Sequence, residues 1–65
     1  MCEGKVVIVK NSEIKESFEE VVCLEVEYHA RRVVIKTMEG ESREVLGFRR
    51  IFCDFVKHVT RIELD

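Results

Sequence analysis

The chain has 65 residues, 46% apolar and 37% charged, with a formal net charge of −2. That is room for one small domain, residues 1–65, with a core that is marginal unless a disulfide, a metal or a partner subunit reinforces it. The acidic balance excludes a generally basic nucleic-acid binder and leaves only a local basic patch for such a role.

Valine and isoleucine number 16 against 3 leucines. β-branched side chains favour strands and lose rotamer freedom in helices. The composition therefore predicts an all-β domain. In chain order, the first predicted strand is Lys5 to Lys10, "KVVIVK", apolar on both faces. In the segment after it, Asn11 to Glu20, a stripe at helical spacing begins behind Ser12 with Ile14 and Phe18 and runs on to Val21 and Val22, which predicts a short helical turn. The second strand is Val21 to Tyr28, with Val22, Leu24, Val26 and Tyr28 on one face and Cys23, Glu25 and Glu27 opposite. "HAR" connects it in a hairpin to the third, Arg32 to Met38. Gly40 and Gly47 punctuate the next stretch. The fourth strand, Phe48 to Phe55, pairs through "VKH" with the fifth, Val59 to Leu64. A helical stripe over Val45, Phe48, Phe52, Phe55, Val56, Val59 and Ile62 competes with this last hairpin. Five short antiparallel strands predict a small curled sheet or partly open barrel. Its free edges and small core favour a homodimer.

The cysteines are Cys2, Cys23 and Cys53, an odd count at wide spacing and a poor disulfide framework. Cys23 in "VVCLEV" and Cys53 in "IFCDF" are expected to be reduced and buried, which fits a cytoplasmic protein. No run approaches the 18 or more apolar residues of a membrane span. Motifs for phosphate loops, zinc proteases or redox dithiols are absent, and an enzyme is not expected. His29 and the carboxylate pairs Glu19–Glu20 and Glu39–Glu41 are expected to be solvated.

Cys2 is of another kind, because it precedes the first strand instead of packing within one. After a small second residue an initiator methionine is commonly removed. Cys2 would then offer an amine and a thiol in a five-membered N,S chelate. With Met1 retained, it offers thiolate and backbone amide. Paired N,S sets suit Ni(II) or Cu(II), and a twofold axis would bring two such sets together. His58, in "DFVKH", is a second-choice ligand or contact, as is Met1. A separate reading rests on Arg49, Arg50, Lys57 and Arg61: in a paired hairpin these gather beside Phe48 or Phe52 as a patch for RNA.

The start "MCEGKVV", Met1 to Val7, resembles the N-terminal signature of the CooT family, with "EVVCLEVE" similar to its second strand and "IFCDFVKHVTRIEL" to its C-terminal hairpin. That family comprises small dimeric nickel-binding accessory proteins linked to carbon monoxide dehydrogenase maturation, and has also been labelled predicted RNA-binding. The resemblance implies a small all-β fold, Ni(II) bound through Cys2 at a dimer interface, and a recipient metalloenzyme. The region around Asn11 to Glu20 is longer than the family pattern.

Overall fold

The computed structural model describes residues 4–65; Met1 and Cys2 lie outside the described residues. The chain is all-β, as its Val and Ile content predicts. The strands are β1 (Gly4–Lys10), β2 (Glu13–Glu27), β3 (Arg32–Thr37), β4 (Ser42–Leu46), β5 (Phe48–Asp54) and β6 (Val59–Leu64). They form one six-stranded sheet in the order β4-β3-β2-β1-β6-β5.

The segment expected to be a helical turn is the first half of β2. Asn11 and Ser12 both take left-handed backbone angles, with φ of 52° and 64°. Positive φ at both central residues is the requirement of a two-residue hairpin turn whose twist matches its strands. Lys10 therefore faces Glu13 across the turn. β2 is long because it bends at Glu20, where φ is 54°. Val6 pairs with Phe18 and Gly4 with Val21, so β2 carries one more residue than β1 over this interval. Such a bulge bends a strand and increases its twist. N-terminal to the bend β2 pairs with β1, and from Val21 onward with β3. A second irregularity between Val21 and Cys23 shifts the facing pattern. Val21 consequently enters the core at 8% exposure and Val22 is half exposed.

β4 adds a sixth strand where five were expected. Gly47 alone separates it from β5, with a φ of 80°. The two strands lie at opposite edges of the sheet, so a one-residue link is feasible only if the sheet curls until its edges meet there. Backbone bonds hold this corner: the Gly47 N–H donates to the Arg31 carbonyl at 2.9 Å. The link also explains the one parallel pairing. Antiparallel pairing reverses the chain between β1 and β2, β2 and β3, β3 and β4, and β5 and β6. An even number of reversals, with none at Gly47, leaves β6 parallel to β1. The sheet is thus mixed, not purely antiparallel, and it is not closed.

Val6, Ile8, Val21, Val33, Ile35, Val45, Phe48 and Ile62 form the core inside the curl. Val33, Ile35 and Ile62 are fully buried. The competing helical stripe over Val45 to Ile62 is absent; its members are instead spread over β4, β5, the β5–β6 turn, which holds Phe55 and Val56, and β6. No helix among the described residues is long and apolar enough to cross a membrane.

Candidate functional site

Two places on the sheet hold the candidate site residues among the described residues, and β1 borders both. The first is its N-terminal end. The Lys5 N–H donates to the His58 carbonyl at 2.9 Å, and a Cβ added to Gly4 would lie 3.7 Å from the same oxygen. Gly4, two residues after Cys2, is therefore set against the β5–β6 turn. His58 is exposed and closes that turn in a left-handed conformation, with φ of 57°. The turn is shaped by Asp54, whose Oδ1 accepts from the Val56 and Lys57 amides at 3.1 and 3.0 Å. This is a local Asx-type turn, which competes with continuation of the strand.

Among the described residues, no group of three or more His, Cys, Asp or Glu side chains converges on a metal-sized site. Thiolate and imidazole are the donor types that suit nickel, copper and zinc, so His58 is a donor of fitting type.

The other two cysteines are exposed, not buried as expected. The irregularity after Val21 turns Cys23 to the outer face, opposite Lys36. Cys53 lies toward the β5–β6 turn, beyond the residues that make up the core, opposite Thr60. Apolar neighbours in sequence did not report burial because the sheet has an open end and an outer face.

The second place is the outer face of β1, β6 and β5. Val7 pairs with Arg61 and Val9 with Glu63 in the parallel ladder. Across β6, Arg61 pairs with Phe52, while a bulge between Phe48 and Arg50 sets the Arg49–Arg50 pair against Glu63. Two residues opposing one is what a bulge does, and here it aims neighbouring guanidiniums at a single carboxylate. The Glu63 carboxylate lies 2.9 Å from Arg61 Nε, 3.7 Å from Arg49 Nη2 and 3.8 Å from Arg50 Nε. Its side chain is only 16% exposed. The Arg61 guanidinium also sits 4.8 Å from the centre of the Phe52 ring, with that of Arg50 at 5.8 Å. Lys57 lines the same concavity as Phe52 and Arg61. All four basic residues read from the sequence thus reach one face.

Elsewhere the arginines meet carboxylates in equal or greater number. Arg31 pairs with Asp65, Arg32 with both Glu27 and Glu44, and Arg43 with Glu16. Hydrogen bonding to Glu16, then its charge, holds the Arg43 guanidinium above its ordinary pKa. His29 is exposed, its ring edge-on to Tyr28 at 5.5 Å. Among the described residues, Glu63 is the one carboxylate shared by three guanidiniums. Glu63 was not singled out in the sequence, since nothing local marks it; only the cross-strand register does.

Compared with known proteins, the chain matches no family model, no curated protein and no solved structure.

Proposed function

We propose that this chain is a small homodimeric accessory protein that binds Ni(II) through Cys2 of both subunits and passes it to a recipient metalloenzyme in the cytoplasm. The observation that carries the reading is the setting of β1: the strand that follows Cys2 starts hydrogen-bonded to His58. His58 therefore neighbours Gly4, which follows Cys2 by two residues in the sequence. The resemblance of "MCEGKVV" to the CooT signature gives the pairing its direction, and the small all-β fold agrees with it. The free edges at β4 and β5 favour association with a second copy. Exposed Cys23 and Cys53 suit a reducing compartment. Bound nickel would be cargo and not a centre of turnover.

Titration of the reduced protein with Ni(II), followed by the thiolate-to-metal charge-transfer band, tests this. The expected endpoint is one metal per two chains, with the band lost in Cys2→Ser and weakened in His58→Ala. Absence of any band at neutral pH refutes it.

A second reading is RNA binding, favoured by the gathering of Arg49, Arg50, Arg61 and Lys57 around Phe52. Guanidiniums on a backbone-tracking face and an aromatic ring are the parts of a single-strand site. RNA affinity that falls steeply with salt supports it; no detectable binding at low salt removes it.

A further inference from the structure

Beside the Arg–Glu63 cluster, the β1–β2 turn and the start of β2 wall a concavity of about 710 Å³ whose apolar lining neither metal binding nor the basic patch accounts for. That volume is in the range of small-molecule clefts, roughly 300–1,000 Å³. Val7 and Val9 supply an apolar floor from β1, and Ile14, paired with Val9 across the hairpin, an apolar wall. Ile14 is 66% exposed, a large apolar side chain facing solvent beside a charged rim. That rim is Arg49, Arg61 and Glu63.

The charge at the rim is unbalanced. Arg49 and Arg61 against Glu63 leave one positive charge at the rim, and Arg50, which shares Glu63 without lining the concavity, adds a second close by, on a chain whose net charge is −2. Asp65, which also lines the concavity, is paired outward with Arg31 at 3.6 Å. Each guanidinium carries five N–H donors, and one carboxylate has about four acceptor sites. Glu63 therefore holds the three arginines in place without saturating them. Guanidinium forks match phosphate oxygens, and the positive rim favours an anion.

We propose that this concavity binds a small phosphate monoester carrying an apolar tail, with the phosphate on Arg49 and Arg61 and the tail along Val7, Val9 and Ile14. The site goes beyond the nickel reading and shares only Arg49 and Arg61 with the RNA reading. Octyl phosphate, inorganic phosphate and an oligouridylate are the probes, each titrated into the intact protein by calorimetry and by amide NMR.

Octyl phosphate is expected to bind one per chain, at least about tenfold tighter than inorganic phosphate because part of its tail leaves water. The amides of Val7, Val9 and Ile14 should shift. Arg61→Gln should weaken both phosphates about tenfold. Ile14→Ser, at an exposed position, should narrow the gap between them at least about threefold and leave inorganic phosphate unchanged. Arg43→Gln, on the β4 side of the sheet, should change neither. Equal affinity for the two phosphates overturns the proposal, as does octyl phosphate binding that ignores Ile14→Ser. Octyl phosphate binding without oligouridylate binding upholds it and removes the RNA reading. Oligouridylate binding lost in Arg49→Gln, with no preference for octyl phosphate, does the reverse.

Discussion

Replacing Glu63 with glutamine removes the negative charge that Arg49, Arg50 and Arg61 share while keeping shape and hydrogen-bonding capacity. The arginine side chains are 39–65% exposed, so solvent screens each pair. Exposed pairs of this kind contribute roughly 0.2–1 kcal/mol. Summed over Arg49, Arg50 and Arg61, with their mutual repulsion no longer offset, the loss should be about 1–2 kcal/mol. A domain of this size has a total stability of roughly 3–10 kcal/mol at the usual increment per residue. A loss on that scale lowers the melting temperature by roughly 5–15 °C. Far-UV circular dichroism melts in 10 mM and 500 mM sodium chloride measure it, with Glu39→Gln as a control on the β3–β4 turn. The drop should be largest at low salt and shrink at high salt, because the repulsion is screened. Inorganic phosphate, which binds only the folded site, should restore the variant more than it stabilises the parent. A Glu63→Gln melt unchanged from the parent at low salt, or a drop of equal size at both salt concentrations, refutes this account of the cluster.

Other consequences follow from burial and backbone. Ile62 is fully buried on β6, between β1 and β5; Ile62→Ala should cost about 2–5 kcal/mol and Ile62→Val about 0.5–1.5 kcal/mol in urea titrations. Gly47 has open space around it, so Gly47→Ala should cost only the strain of its positive φ, about 1–2 kcal/mol; a loss no greater than for an exposed strand substitution contradicts the tight corner between β4 and β5. Cys23→Ser and Cys53→Ser should each stay within about 0.5 kcal/mol of the parent. Both native thiols should react with a thiol reagent without denaturant, and protection of either contradicts its exposed position.

The fold was legible in the sequence where side-chain type decides it. Val6 to Val9, Val33 to Ile35 and the Phe48–Leu64 hairpin are dense in β-branched or aromatic residues, and strands lie there. It was not legible where backbone decides it. In Glu13 to Glu20 five of eight residues are charged, and Ile14 and Phe18 stand four apart, which imitates a helix; the left-handed turn at Asn11–Ser12 and the bend at Glu20 make it a strand. β4 escaped notice because Ser42, Arg43 and Glu44 face solvent at a sheet edge and only Val45 is buried. Parallel pairing of β1 with β6 depends on Gly47 passing the chain on without reversing it, which its identity alone does not reveal.

The candidate sites divide along the same line. The adjacent arginines are visible as "RR", and their approach to Arg61 follows once β5 and β6 are paired. Their convergence on Glu63 depends on a bulge, and the cleft beside them on the β1–β2 hairpin that sets Ile14 opposite Val9. Cys2 stood out because it precedes the first strand. What the structure adds is that this strand begins beside His58, a contact that spans more than fifty residues of chain and that no local pattern signals.

Nickel binding at the start of β1 is tested most directly by titrating reduced, isotope-labelled protein with Ni(II) and following its amide resonances. The Gly4, Lys5 and His58 resonances should shift or broaden until one metal is present per two chains, while Val45 in the core of β4 is unaffected, and Cys2→Ser should abolish the change. Unperturbed Gly4, Lys5 and His58 resonances at that ratio, or the same perturbation in Cys2→Ser, would contradict the proposed function.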